Sequence, residues 1–201
     1  MAEEDKYYVG PMNEGQAQAW FQLGGDTIEK LEPRDISNLQ LAMERNPAAF
    51  TDAQRAQVRD VAWKMIENVA KDITNIEYSI IEKFFPGPLT IILKKKETIP
   101  DILTAGSDTI GIRMPANDIA LNLINYAGVP LATPSANLSG KPSGTNLKDI
   151  IKDFDGNVDC FIDDGPSKIG LAPTIVKVID GVPHILRQGS ISIDEINSVI
   201  N

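Results

Sequence analysis

The apolar positions of this chain change their period near residue 72. Before it they recur at helical offsets: Val58, Val61, Ala62, Met65, Ile66 and Val69 share one face behind Thr51-Asp52-Ala53-Gln54, which has the spacing of a capping box. Ile36, Leu39, Ala42 and Met43 keep the same period between Pro33 and Arg45, until Asn46-Pro47 stops it. Between Gly10 and Asp26, Trp20, Phe21 and Leu23 mark a short apolar element ending at Gly24-Gly25. Trp20 and Trp63 are expected in core or interface packing rather than in a ligand pocket.

Beyond residue 72 helical and strand patterns alternate. Ile76, Ile80, Ile81 and Phe84 predict a helix from Asn75 to Phe85, stopped by Pro86-Gly87-Pro88. Leu89 to Leu93 is a strand that runs into Lys94-Lys95-Lys96, lysines that read as a solvated sheet edge, with phosphate or RNA contact as the alternative. A second strand spans Thr109 to Met114. If Ile110 and Ile112 face the core, Thr109, Gly111 and Arg113 share the opposite face. Arg113 then serves either a structural salt bridge or a bound carboxylate. Asn117 caps a helix through Tyr126 that ends at Gly128, and Val129-Pro130-Leu131-Ala132 is a candidate short buried strand. Near the end, Asp180-Gly181 between Pro173–Ile179 and Val182–Arg187 is a two-residue hairpin signal, and Ser192 to Glu195 opens a short closing helix. The pattern is α/β, without internal repeats.

Composition narrows the function classes. A chain of 201 residues, 42% of them hydrophobic, buries one sizeable core, or one core plus a small appendage. A net charge of −9 argues against a dominant nucleic-acid-binding surface. The single cysteine, Cys160 in Val158-Asp159-Cys160-Phe161-Ile162, excludes an internal disulfide or cysteine cluster and is expected as a small buried hydrophobe. His184, the one histidine, has no partner for a metal site and is expected on a surface or half-buried strand. No run approaches the length of a membrane span and the N-terminus is acidic, so a cytoplasmic protein is expected.

Candidate chemistry concentrates between Thr133 and Thr145. Pro134, Gly140, Pro142 and Gly144 preclude a continuous helix, so Thr133, Ser135, Ser139, Ser143 and Lys141 lie on a loop. It leads into a helix capped by Thr145 or Asn146, and a loop entering a helix N-terminus offers backbone N–H groups to an anion. A Ser/Gly/Pro surface linker is the bland alternative.

Phe85-Pro86-Gly87-Pro88-Leu89-Thr90, Thr109-Ile110-Gly111-Ile112-Arg113-Met114-Pro115, the Thr133 to Pro142 loop, Asp164-Gly165-Pro166 with Gly170-Leu171, and Ile185-Leu186-Arg187-Gln188-Gly189 resemble, in this order, the blocks of the YrdC-type threonylcarbamoyl-AMP synthase family. The resemblance covers about residues 72 to 201. It implies a curved mixed sheet flanked by helices; residues 1 to 71, which it does not cover, are a helical segment of unclear origin. It also implies an enzyme, a nucleotidyltransferase that joins L-threonine, bicarbonate and ATP into threonylcarbamoyl-AMP and pyrophosphate for the modification of tRNA adenosine 37. By the family pattern Arg113 and Thr133 bind threonine. Thr109, Ser135, Asn137, Ser143 and Arg187 bind ATP, which arrives with Mg2+, and no metal is tightly bound. A tRNA-modification enzyme is the implied partner, and self-association through an open sheet edge is a further expectation.

The chain departs from the family at two places. Its N-terminal part shows no Pro-Thr-Glu/Asp-Thr-x-Tyr-Gly-Leu segment and no Lys-x-Arg element, and Pro173 stands where a serine is usual. Two other readings therefore stay open: a non-catalytic nucleotide- or anion-binding module, and a structural chimera that keeps only part of the synthase fold.

Overall fold

The computed structural model of this chain describes residues 47–51, 65–127, 129–163, 165 and 172–200, with single positions at 43, 53, 54 and 63. The elements expected at 10–26 and 33–45 and most of the helix behind Thr51 lie outside the described residues, Trp20 among them. The start of that helix is described. The Thr51 N–H donates to Gln54 Oε1 at 2.8 Å and the Gln54 N–H donates to Thr51 Oγ1 at 3.2 Å, so the capping box forms.

The chain folds as two compact units, one of Met1–Pro130 with Pro173–Asn201, the other of Leu131–Ala172. The first carries a five-stranded mixed sheet. Its hub is β2 (Leu89–Lys95), which pairs antiparallel with β1 (Ala70–Lys71) and β3 (Thr109–Ile112) and parallel with β4 (Thr174–Ile179). The last strand, β5 (Val182–Arg187), returns antiparallel along β4. Asp180 and Gly181 make that turn with φ of 51° and 78°, the paired positive angles that a tight hairpin requires.

Alternation along β2 decides the layers. Leu89, Ile91 and Leu93 are buried, while Thr90 and Ile92 are half-buried and Lys94 is exposed. The buried face forms one core with Ala70, Val176 and two helices, α1 (Asn75–Phe84) through Ile80 and Ile81, and α4 (Ile193–Asn197) through Ile196. Trp63 packs against this core and meets Tyr78 edge-on at 4.3 Å, as expected of a packing residue. Both helices start in capping boxes, Thr74 with Glu77 and Ser192 with Glu195. A further helix described in this unit, α2 (Asp118–Ala127), is capped by Asn117, whose side-chain oxygen accepts from the Ala120 N–H at 2.8 Å.

The second unit contains α3 (Leu147–Phe154), capped by Asn146. Two expectations fail near it. Val129-Pro130-Leu131-Ala132 is not a buried strand: Val129 is 57% and Leu131 39% exposed, Pro130 has no N–H to give a ladder, and no strand among the described residues pairs with the segment. Cys160 is free and exposed rather than buried, because its segment joins no sheet and leaves Val158 and Ile162 exposed as well. Among the described residues no helix is long and apolar enough to cross a membrane, and no group of three His, Cys, Asp or Glu side chains is placed to hold a metal ion.

Candidate functional site

The sheet face opposite the core carries the candidate residues of the first unit. Strand register places Gly111 beside Ile92 and Ile92 beside Lys177, with Thr109 beside Lys94 and Ile175 beside Arg187. Residues opposite one another point the same way, so Thr109, Gly111, Thr90, Ile175 and Arg187 share this face. Ile110 and Ile112 turn to the other side, and Ile112 packs on the core. Gly111 lies close to its neighbours: a Cβ there would sit 3.3 Å from both Ile92 Cδ1 and Thr90 Cγ2, so those side chains would have to yield by a few tenths of an ångström. Thr109 is fixed by Ser107, whose Oγ lies 2.9 Å from its hydroxyl and accepts its N–H at 3.1 Å. Sequence reasoning missed Ser107, although the Ser-x-Thr alternation into a strand was its available signal.

Arg113 follows β3 and has no carboxylate partner among the described residues. Its guanidinium is pulled below its ordinary pKa first by burial and then by the guanidinium of Arg187, although the side chain keeps solvent access that screens the effect. Arg187 is held from the other side, where Nε and Nη2 both donate to the Pro173 carbonyl at 3.2 and 3.0 Å. It has no carboxylate partner either. Two guanidiniums that repel one another and pair with no acid among the described residues are chemically suited to an anion.

The Pro86-Gly87-Pro88 turn supports both ends of this arrangement. The Gly87 N–H donates to Met114 O at 2.8 Å, next to Arg113, and the Thr174 N–H donates to Pro88 O at 3.0 Å, next to Pro173. A Cβ on Gly87 would land on the Phe84 carbonyl oxygen, so only glycine closes the turn. Fully buried Thr174 adds a second tie. Its hydroxyl donates to Ile191 O at 2.9 Å and accepts the N–H groups of Gly189 and Ile191, both at 3.0 Å.

The other candidate residues belong to the second unit. Asn137 organises the loop: its Nδ2 donates to Leu138 O and Lys141 O, both at 3.0 Å, and its Oδ1 accepts the Ser143 hydroxyl at 3.0 Å. Lys141 Nζ reaches Asp153 on α3 at 2.8 Å, and a Cβ on Gly144 would lie 2.8 Å from Ile150 Cγ1, so the loop is seated on that helix. It is a built turn and not a slack linker. Thr133 donates to Leu131 O at 3.2 Å, while the exposed Ser135 hydroxyl has no partner among the described residues. Ser143 gives its only proton to Asn137 and has acceptor capacity left. The α3 N-terminus is partly occupied by its own residues: Asn146 Oδ1 accepts the Asp149 N–H at 3.1 Å, and Asn146 Nδ2 binds the Asp149 carboxylate at 2.6 Å. It is therefore a less open anion site than a free helix end would be.

A depression of about 410 Å³ lies at the lysine end of β2, lined by Lys71, Lys94, Lys95, Asp101 and Ser107 among others. Its charges are matched. Lys94 pairs with Asp72 at 3.3 Å, Lys95 with Asp101 at 2.7 Å, and Lys71 with Glu97. Two of the three consecutive lysines thus hold carboxylates, which fits a solvated edge and leaves little attraction for phosphate.

Comparison with known proteins gives this geometry a context. Residues 58–189 match the Sua5/YciO/YrdC family model, described as telomere recombination. The threonylcarbamoyl-AMP synthase of Pyrococcus abyssi is 41% identical over 139 residues, 69% of this chain and 41% of that protein. A putative threonylcarbamoyl-AMP synthase of Methanocaldococcus jannaschii is 44% identical over 176 residues, 88% of this chain and 78% of that protein. The crystal structure of P. abyssi Sua5 complexed with L-threonine superimposes with a TM-score of 0.66 at 41% identity, covering 69% of this chain and 41% of that one. The chain spans 35 to 41% of the length of three of the curated relatives it matches. With the mixed sheet, the glycine-closed turn and the family match all running through the same blocks, this chain belongs to the Sua5/YciO/YrdC family.

Proposed function

We propose that this chain acts as a threonylcarbamoyl-AMP synthase, making threonylcarbamoyl-AMP and pyrophosphate from L-threonine, bicarbonate and ATP. The observation that carries the reading is the pair Arg113 and Arg187, two guanidiniums on one sheet face with no acidic partner among the described residues. The amine of threonine takes up CO2 as a carbamate, and a carbamate oxygen then attacks the α-phosphate of ATP as pyrophosphate leaves. Neither step needs a protein nucleophile, so catalysis rests on positioning two anions and stabilising the charge that moves onto pyrophosphate.

In this reading Arg113 clamps the threonine carboxylate and Thr133 lines the amino-acid pocket. Thr109, Ser135 and Ser143 contact ATP, Arg187 meets its phosphates, and Asn137 keeps the nucleotide loop in shape. Mg2+ enters with ATP as part of the substrate, held mainly by phosphate and water. The product passes to a cytoplasmic tRNA-modification partner that acts on adenosine 37. The test is pyrophosphate release by the full chain. It is expected to require ATP, threonine and bicarbonate together, and its absence from demonstrably folded protein overturns the reading.

Pro173 favours a second reading. It offers no hydroxyl and no N–H, and its carbonyl is taken by Arg187. A nucleotide- or anion-binding module without an amino-acid pocket accounts for this. It predicts ATP binding weakened by Ser135→Ala or Arg187→Ala and indifferent to threonine.

A further inference from the structure

The pairing of β4 with β5 contains a bulge. Ile175 lies opposite Arg187, but Val176 lies opposite Ile185, so Leu186 is an extra residue in β5. In unbroken strand, His184 and Arg187, three residues apart, would face opposite sides of the sheet. The bulge puts both on the face that carries Ile175 and Lys177. Core packing does not explain it, because Leu186 is left 57% exposed.

The residue that gains from this register is Lys177. It sits directly opposite His184, beside Ile92 of β2, and diagonal to Arg187 across the bulge. Diagonal cross-strand positions are about 7–8 Å apart, within joint reach of two long side chains on one ligand. Lys177 is half-buried and has no side-chain hydrogen bond or ion pair among the described residues. Its cross-strand neighbours on this face are Ile92 and His184, and no carboxylate among the described residues is bonded to it. A lysine kept in such surroundings needs an anion.

We propose that Lys177, flanked by His184, is a second cationic subsite next to Arg187 that takes the terminal phosphates of a nucleoside triphosphate. The inference rests on the proposed synthase reading and extends it to the leaving group. As the carbamate oxygen bonds to the α-phosphorus and the bridging bond to the β-phosphate breaks, the electron pair stays on pyrophosphate. Lys177 meets that charge where it develops.

The experiment is calorimetric binding of ATP, AMP and inorganic tripolyphosphate to the full chain and to Lys177→Met and Lys177→Arg, each shown folded by circular dichroism. Lys177→Met is expected to weaken ATP and tripolyphosphate by about tenfold or more, with AMP unchanged and Lys177→Arg close to the parent. Equal weakening of AMP, or no change with tripolyphosphate, overturns the subsite. The two ideas fail separately. Lys177-dependent tripolyphosphate binding without pyrophosphate release sinks the synthase reading and keeps the subsite, whereas synthase activity with leaving-group affinity indifferent to Lys177 does the reverse.

Discussion

Thr174 and Ile191 are bonded in both directions. The buried Thr174 hydroxyl donates to the Ile191 carbonyl at 2.9 Å and accepts the Ile191 N–H at 3.0 Å, with the Gly189 N–H as a third partner. One side chain therefore fixes the path by which the chain leaves Arg187 and turns into the closing helix. Thr174→Val keeps the shape and strips the hydroxyl, leaving two N–H groups without their acceptor. A loss of about 2–3 kcal/mol is expected, read as a lower urea midpoint at unchanged slope. Thr174→Ser keeps the bonds, loses one buried methyl and is expected to cost about 1 kcal/mol.

Gly87 is the second structural pivot. Its N–H holds Met114, the next residue holds Thr174, and a methyl in place of its hydrogen would collide with the Phe84 carbonyl. Because that obstacle is backbone, it cannot swing aside as a side chain would. Gly87→Ala should destabilise the fold by about 1–3 kcal/mol, and the surviving folded protein should bind ATP more weakly because Arg113 is adjacent to the displaced Met114. Thermal melts with and without ATP measure both effects. An alanine variant with parental stability and binding would mean that the turn has slack.

Local signals carried most of the sequence reading. Asp180-Gly181 adopts the two positive φ values its composition asks for, and Asn117, Thr51 and Ser192 all cap the helices they precede. Each of these depends on neighbours within a few residues. What was not legible depends on distant chain. The Thr174 hydroxyl finds partners 15 and 17 residues away. The apolar Val129–Ala132 segment reads as a strand until it is known that no second strand among the described residues lies beside it, and Cys160 reads as buried for the same reason. The bulge at Leu186 is hidden because Val182-Pro183-His184-Ile185-Leu186-Arg187 has no clean alternation to mark which residue is extra. Within the candidate site, alternation from Thr109 onward puts Arg113 on the face of Thr109 and Gly111, and its lack of an acid partner among the described residues is seen only in the fold. That Ser143 spends its proton on Asn137 was visible only in the folded loop.

Asn137 tests whether the loop works as a unit. Its amide donates to two carbonyls, so Asn137→Asp replaces attraction by repulsion at both while keeping the size. The loop is exposed, and global stability should change by less than about 1 kcal/mol. ATP affinity should fall about tenfold if the loop contacts nucleotide, since the loss of shape removes oriented donors together. Equilibrium binding beside a denaturation curve separates the two quantities. An unchanged ATP affinity would remove the loop from the nucleotide site.

Acid sensitivity follows from carboxylates that the fold keeps ionised. Hydrogen bonds from the Ser192 backbone and then its hydroxyl lower the Glu195 pKa from its ordinary 4.5, and the hydrogen bond from Lys95 lowers that of Asp101 from 3.8. A carboxylate whose folded pKa is depressed gives stability that is present above the unfolded value and is lost as pH falls through the folded one. The melting temperature is therefore expected to decline below about pH 4.5, with a small amplitude because both groups are exposed. Glu195→Gln still offers an acceptor to the cap but does not titrate, so its decline should be shallower. Equal slopes for the two proteins would show that Glu195 contributes nothing to the acid transition.

Arg113 separates function from stability. Burial and the nearby Arg187 both disfavour its charged form, and no acid among the described residues compensates. A structural arginine in a salt bridge would be destabilising to remove. An arginine held ready for a ligand carboxylate would not, because the unliganded protein bears the repulsion and gains nothing from it. Arg113→Met is therefore expected to leave the urea midpoint unchanged or to raise it, with the difference shrinking as salt screens the Arg187 interaction. The same variant should lose the thermal shift produced by L-threonine. Arg187→Met is the contrasting case, since it also forfeits two hydrogen bonds to the Pro173 carbonyl and should lower the midpoint. If Arg113→Met instead destabilises the protein by more than about 1 kcal/mol while the threonine response survives, the guanidinium is structural and the threonine carboxylate must be held elsewhere.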